Sequence, residues 1–84
     1  MTHFWQAGLP IEAQKDAEGL PTQLYWDDQC HPVQVITNHW RVDLGWWRLR
    51  ICRDYYKVAT TTGLLLVIYC DRMTNRWSLQ RLYD

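Results

Sequence analysis

Apolar and polar side chains alternate with a period of two over much of the chain, most clearly between residues 46 and 51. Residues i, i+2 and i+4 of an extended strand share one face. The alternation therefore predicts that one set of side chains enters the core: Trp47, Leu49 and Ile51. The side chains between them are predicted to form an outward-facing group of one indole and two guanidiniums: Trp46, Arg48 and Arg50.

The same pattern recurs in short stretches that are separated by turn residues. We predict strands at residues 11–15, 22–26, 32–42, 46–52, 55–60, 64–70 and 76–83. Gly45 is expected to supply a bend or bulge before the fourth strand, and a short helical turn near residues 44–47 is an open alternative. No stretch keeps a helical period over the length that a helix requires. The pattern therefore predicts an all-β fold, a small roll or partly open barrel of about six short antiparallel strands.

Length and aromatic content predict one small domain with a large apolar core. The chain has 84 residues, including six Trp, five Tyr and one Phe. Each aromatic side chain can bury about 150–250 Å², which allows a compact core without disulfides or metal. Residues 1–10 are predicted to form an N-terminal arm or irregular lead, with Phe4 and Trp5 folded back onto the domain. Residues 11–84 are predicted to form the single β domain.

Formal charge sums to zero but is unevenly distributed along the chain. Residues 1–40 carry a formal charge of −4, and residues 41–84 carry +4. The zero sum argues against attraction of the whole molecule to nucleic acid, because domains that bind nucleic acid are usually strongly basic. It leaves room for a local basic face. Most of the basic residues are arginines, whose guanidiniums bind phosphates with paired N–H donors and stack on aromatic rings.

Catalytic and metal-binding signatures are absent from the sequence. The three cysteines, Cys30, Cys52 and Cys70, form no Cys-x-x-Cys pair and share no metal-ligand spacing with the histidines. The chain has no Gly-rich phosphate loop and no Gly-x-Ser-x-Gly motif. We therefore expect a protein that is not an enzyme, with no catalytic residues, no metal, no cofactor and no evident small-molecule substrate.

The distribution of apolar residues gives no sign of a membrane segment. The longest apolar run, Leu64–Cys70, is far shorter than the roughly 20 residues that a membrane-spanning helix needs. The first residues lack the basic and apolar segments of a signal peptide. We therefore expect a cytoplasmic protein with no membrane partner.

The outward-facing group around Trp46 has the composition of a binding surface, because an indole beside guanidiniums can stack on bases and contact phosphates. We predict that DNA or a partner protein binds through this group and three rim residues: Trp46, Arg48, Arg50, Arg53, Lys57 and Arg76. Two alternatives remain open. Either Trp46 packs in a second small core, or the same patch lets a structural subunit self-associate without any role in nucleic-acid binding. The sequence leaves the oligomeric state open.

Several segments together resemble a known family. They are His39–Asp43, Trp46–Trp47, Arg53–Val58, Leu64–Asp71 and Arg76–Asp84. In this order they resemble a family of small uncharacterised bacterial domains, which occur alone or at the C-terminal end of polymerase-like proteins of the Y-family (translesion) type. The resemblance covers about residues 10–84.

This resemblance implies an accessory role and carries over no catalytic residues. By association it implies a place in DNA repair or mutagenesis. The chain has no polymerase domain of its own, so a polymerase-like repair protein is expected as a separate partner. The predicted function is therefore a non-catalytic accessory binding module that contacts DNA or a repair protein.

Overall fold

Six antiparallel strands make up the regular structure of the protein, for which a computed structural model describes residues 2–46 and 49–83. The strands are β1 (His3–Lys15), β2 (Pro21–Trp26), β3 (Gln29–Trp46), β4 (Leu49–Thr60), β5 (Leu65–Asp71) and β6 (Arg76–Tyr83). Within the described residues there is no helix, and so none long and apolar enough to cross a membrane. The predicted all-β fold of about six antiparallel strands is confirmed.

The sheet closes into a ring because the first strand pairs with the last. Each strand is hydrogen-bonded to its sequence neighbours, and β1 also pairs with β6. The β1–β6 contact extends from His3 opposite Leu82 to Ile11 opposite Trp77. Closure matters because an open edge strand would expose unpaired backbone groups to other chains.

Side chains that point into the ring form the hydrophobic core. The largest that are fully buried are Leu24, Val58, Leu66, Ile68 and Leu79. A second, smaller cluster lies on the outside of the same sheet, around Tyr55, Val67 and Tyr69. Strand β5 is therefore buried on both faces, which explains why its sequence is apolar almost throughout.

β3 and β4 form a long antiparallel pair, and their bounds differ from the strands predicted in this region. β3 continues through Gly45, where a bend was predicted, and ends at Trp46, whose register partner is Leu49. The prediction of one strand over residues 46–52 is therefore wrong, because β3 ends and β4 begins within that range. The prediction of a separate strand at 55–60 is also wrong, since β4 is continuous from Leu49 to Thr60. Alternation alone does not show where one strand ends and the next begins.

The beginning of the chain is extended, although residues 1–10 were predicted as an irregular arm. Residues 3–10 belong to β1 and pair with β6, with a shift of register between Phe4 and Leu9. This irregular stretch contains Gly8, whose φ of +79° suits glycine. Trp5 packs against the core, as expected for a folded-back segment, whereas Phe4 is 53% exposed.

Candidate functional site

One side of the sheet presents aromatic and cationic side chains to the outside of the ring, and we call this surface the outer face. It consists of the outward-pointing side chains of strands β3 to β6. Alternation and register place residues on it that include Asn38, Trp40, Val42, Leu44, Ile51, Arg53, Tyr55, Lys57, Val67, Tyr69, Asp71, Arg76, Ser78, Arg81 and Tyr83.

Three aromatic side chains from adjacent strands lie next to one another across the outer face. Trp40 stacks on Tyr55, with ring centroids 5.4 Å apart and planes 5° from parallel. Tyr55 in turn contacts Tyr69 at a centroid distance of 5.2 Å. Both tyrosines are buried, whereas Trp40 remains 40% exposed. The indole of Trp40 is therefore an accessible ring that rests on a fixed aromatic base.

Arg53 extends this aromatic row with a cation. Its guanidinium carbon lies 4.5 Å from the centre of the Tyr69 ring, and its Nη1 donates a hydrogen bond to the Tyr55 hydroxyl at 3.4 Å. That hydrogen bond is the main cause that raises the pKa of Arg53 above its ordinary value. Within the described residues, the buried Nε has no hydrogen-bond partner. The contact with the Tyr69 ring thus contributes to holding the guanidinium in place.

A groove of about 350 Å³ lies beside the exposed Trp40 indole. Trp40 and Tyr83 both line this groove, together with two cations, Lys57 and Arg81. The Lys57 Nζ is 5.1 Å from the centre of the Tyr83 ring, and the Arg81 guanidinium carbon is 5.7 Å from it. A single ligand in the groove could therefore meet an aromatic surface and positive charge together.

The outer face is basic, although the chain as a whole has no net charge. Among its described side chains only Asp71 is a carboxylate, and its Oδ1 accepts a hydrogen bond from the Met73 backbone N–H at 2.8 Å. Four side chains of the outer face are cationic: Arg53, Lys57, Arg76 and Arg81. The described outer face therefore has a formal charge of +3.

The structure brings three of the six predicted binding residues together on the outer face: Arg53, Lys57 and Arg76. Arg50 lies on the other face of β4, where its Nη2 is 3.4 Å from Asp43 Oδ2. The side chains of Trp46 and Arg48 lie outside the described residues, so their part of the predicted site stays a prediction. Arg50 therefore does not share a surface with the predicted rim residues.

The structure reverses the orientation predicted for Arg50 and Ile51 near the start of β4. Tyr56 and Val58 face the core, so the odd-numbered positions from Ile51 onward face outward. Ile51, predicted to enter the core, is half-buried and lies opposite the exposed Leu44. Within the described pairing, β4 meets β5 only from Arg53 onward. Before Arg53, β4 therefore pairs only with β3 in the described structure. The alternation of residues there does not show which face of the strand points to the core.

Three residues that line the groove were not among the predicted binding residues: Trp40, Arg81 and Tyr83. Each occurs in a period-two pattern with its neighbours, as in Arg81-x-Tyr83. A signal was therefore present in the sequence. What the sequence lacked was the register that aligns β3, β4 and β6 on one surface.

The chemistry of the described residues offers binding surfaces and no obvious metal centre. Within residues 2–46 and 49–83, no group of three or more His, Cys, Asp or Glu side chains is placed to hold a metal ion. The three cysteines are free, with Cys30 exposed and the other two buried. Burial raises the pKa of the Cys70 thiol, which keeps it in the neutral form.

Comparison with protein families assigns the chain to a known domain family. The family described as Domain of unknown function (DUF6504) matches residues 9–84. The chain belongs to this family. The match begins within β1 and includes all of β2 to β6, so the outer face and its groove are part of the DUF6504 domain. The expectation of a small uncharacterised domain family is thus confirmed. No curated protein and no solved structure matches the chain.

Proposed function

We propose that this DUF6504 domain is a non-catalytic accessory module that binds single-stranded DNA in the groove of the outer face. The observation that carries the proposal is the exposed Trp40 indole, stacked on Tyr55 in a groove that also contains Lys57 and Arg81. A base that stacks on such a ring contributes about 1–3 kcal/mol and can be any of the four bases. The cations of the groove supply contacts for the adjacent phosphates.

A single strand fits this surface better than a duplex does. Stacking on Trp40 requires a base whose flat face is free, and the bases of a duplex are already stacked on one another. The charge of the outer face supports the same ligand. If three or four of its cations meet phosphates, the logarithm of the affinity falls with the logarithm of the salt concentration with a slope of about −2 to −3.

We further propose that the module works in the cytoplasm of a bacterium, in a DNA repair or mutagenesis system, beside a Y-family polymerase-like protein. This part of the proposal is supported by the resemblance of the segments His39–Asp43, Arg53–Val58 and Arg76–Asp84 to domains that occur attached to such polymerases. A module that holds an unpaired strand is compatible with a polymerase that copies one.

The test is a tryptophan-fluorescence titration with a single-stranded oligonucleotide of about ten nucleotides, within the site sizes of such modules. The titration is repeated with the corresponding duplex and at about 50 mM and 200 mM salt. We expect the single strand to bind more tightly than the duplex, with the salt slope given above. Equal affinity for both forms, or no response to either, would contradict the proposal.

Arginine and lysine variants show whether the groove is the place of contact. Lys57→Gln and Arg81→Gln are each expected to weaken binding and to reduce the salt slope by about 0.7. The matched control is Arg50→Gln, since Arg50 is an exposed cation on the opposite face of β4. Equal losses in Arg81→Gln and Arg50→Gln would indicate diffuse charge attraction and would refute binding in the groove.

The alternative function is self-association through the same face, without any role in nucleic-acid binding. The exposure of Leu44, which is 62% accessible on the strand that carries Trp40, favours this alternative. Sedimentation at several protein concentrations separates the two functions. A dimer that dissociates in Leu44→Asp and shows no response to oligonucleotide would support self-association.

A further inference from the structure

The inner side of β3 and β4 carries a polar pocket that shares no described lining residue with the groove of the outer face. Its central group is the carboxylate of Asp54, whose side chain is only 8% exposed. Arg41 Nε donates a hydrogen bond to Oδ1 at 2.7 Å, and Arg72 Nη1 donates one to Oδ2 at 2.9 Å. Burial raises the pKa of Asp54, but the two hydrogen bonds and the positive charges of Arg41 and Arg72 together outweigh burial, so the pKa lies below its ordinary value.

The two arginines have donors to spare. Each uses one N–H on Asp54 among the described hydrogen bonds, whereas a guanidinium carries five. Their side chains are also accessible, at 53% for Arg41 and 50% for Arg72. The buried carboxylate therefore orients two half-exposed guanidiniums and leaves most of their donors available to a second anion.

The rest of the pocket is suited to an anion. It has a volume of about 270 Å³, and Lys15 adds a third cation while Glu18 adds one further carboxylate. With Asp54 included and His39 neutral, the formal charge of these pocket residues is +1. The His39 ring stacks on Tyr56 at a centroid distance of 4.4 Å, which fixes one wall of the pocket.

We propose that this pocket binds a phosphate group. Guanidiniums that are held in a fixed orientation match the oxygens of phosphate with paired N–H donors, and Asp54 is the residue that positions them. The phosphate can come from a small phosphorylated molecule or from the phosphorylated end of a nucleic-acid strand. In both cases Arg41, Arg72 and Lys15 would contact the same group, the oxygens of a phosphate.

The experiment is isothermal titration calorimetry at constant ionic strength with three probes. They are inorganic phosphate, a 5′-phosphorylated oligonucleotide and its unphosphorylated counterpart. Arg72→Gln is expected to weaken phosphate binding roughly tenfold or more, while the control Arg50→Gln leaves it unchanged. Lys15→Gln is expected to weaken phosphate binding severalfold. Because Lys15 makes no side-chain hydrogen bond or ion pair among the described residues, this variant should fold, and it tests the proposal if Arg72→Gln does not fold.

The outcomes also identify the source of the phosphate. Tighter binding of the phosphorylated oligonucleotide, lost in Arg72→Gln, identifies a strand end. Binding of inorganic phosphate without any difference between the two oligonucleotides identifies a small molecule. No binding of any phosphate, or equal losses in Arg72→Gln and Arg50→Gln, overturns the proposal. Trp40→Ala is expected to leave binding of inorganic phosphate intact, so this proposal can fail independently of the one for the outer face.

Discussion

Replacing Asp54 by Asn is the perturbation whose effect on stability follows most directly from the structure. Asparagine has nearly the shape of aspartate, but it removes the negative charge that lies between Arg41 and Arg72. The variant also leaves two guanidiniums close to each other without their shared counter-ion. We therefore expect Asp54→Asn to fold and to be less stable than the wild type.

The magnitude depends on burial. A hydrogen bond to a charged group contributes about 1.5–3 kcal/mol, and the 8% exposed carboxylate of Asp54 accepts two. Both donors are half-exposed, so solvent screening reduces each contribution, and Asn retains one acceptor oxygen. We expect the free energy of unfolding to fall by about 2–3 kcal/mol at neutral pH.

The loss of stability in Asp54→Asn should also depend on pH. Because the pKa of Asp54 is lowered in the folded protein, the unfolded chain takes up its proton first as the pH falls. The stabilisation is complete above the ordinary pKa of 3.8 and is lost as the pH falls through the lower value of the folded state. The difference between wild type and Asp54→Asn should therefore be largest near neutral pH and should narrow below that ordinary value.

The assay is urea unfolding followed by tryptophan fluorescence at several pH values. Asp43→Asn is the matched control, because Asp43 is half-exposed and pairs with Arg50 at 3.4 Å. Such a surface pair contributes less than about 1 kcal/mol. If Asp54→Asn and Asp43→Asn reduced stability equally, or if the loss in Asp54→Asn did not change with pH, the reasoning about the buried carboxylate would be refuted.

Two further predictions concern the backbone. Gly8→Ala should have a much lower midpoint of thermal unfolding than Gly19→Ala. Both glycines have positive φ, but only a Cβ at Gly8 would collide with the Tyr69 hydroxyl. Similar midpoints for the two variants would show that Gly8 does not lie this close to Tyr69. Asp28→Gly should raise the free energy of unfolding by up to about 1 kcal/mol, since Asp27 and Asp28 form the β2–β3 turn with φ of +56° and +58°. Urea unfolding measures this gain, and a loss of stability would show that the Asp28 side chain stabilises the turn.

The sequence predicted strands best where turn residues bracket them. Strands β5 and β6 lie within one residue of their predicted ranges, because Gly63 and Asn75 mark the preceding turns and both adopt positive φ. No glycine, proline or other turn residue lies between Trp46 and Leu49, so the alternation predicted one strand there. Gly8 and Pro10 suggested irregular backbone, whereas in the structure both belong to β1: Gly8 lies in the stretch where the register shifts, and Pro10 lies opposite Ser78 in regular register.

The candidate site was predictable only in its chemistry. The sequence indicated a local basic face with aromatic side chains, and Arg53 and Lys57 do lie on such a face. Its main aromatic contact, Trp40 with Tyr55, depends on the pairing of β3 with β4. That pairing joins residues distant in sequence, and a one-residue change of register would move every side chain to the other face.

The affinity of Trp40 variants for a single-stranded oligonucleotide shows whether a base stacks on the exposed indole. We expect Trp40→Ala, with a circular dichroism spectrum like that of the wild type, to bind about 5- to 150-fold more weakly, corresponding to one lost stacking contact. Trp40→Phe, which keeps an aromatic ring, should retain most of the affinity. Unchanged binding in Trp40→Ala, or equal losses in both variants, would contradict the claim that a base stacks on this indole.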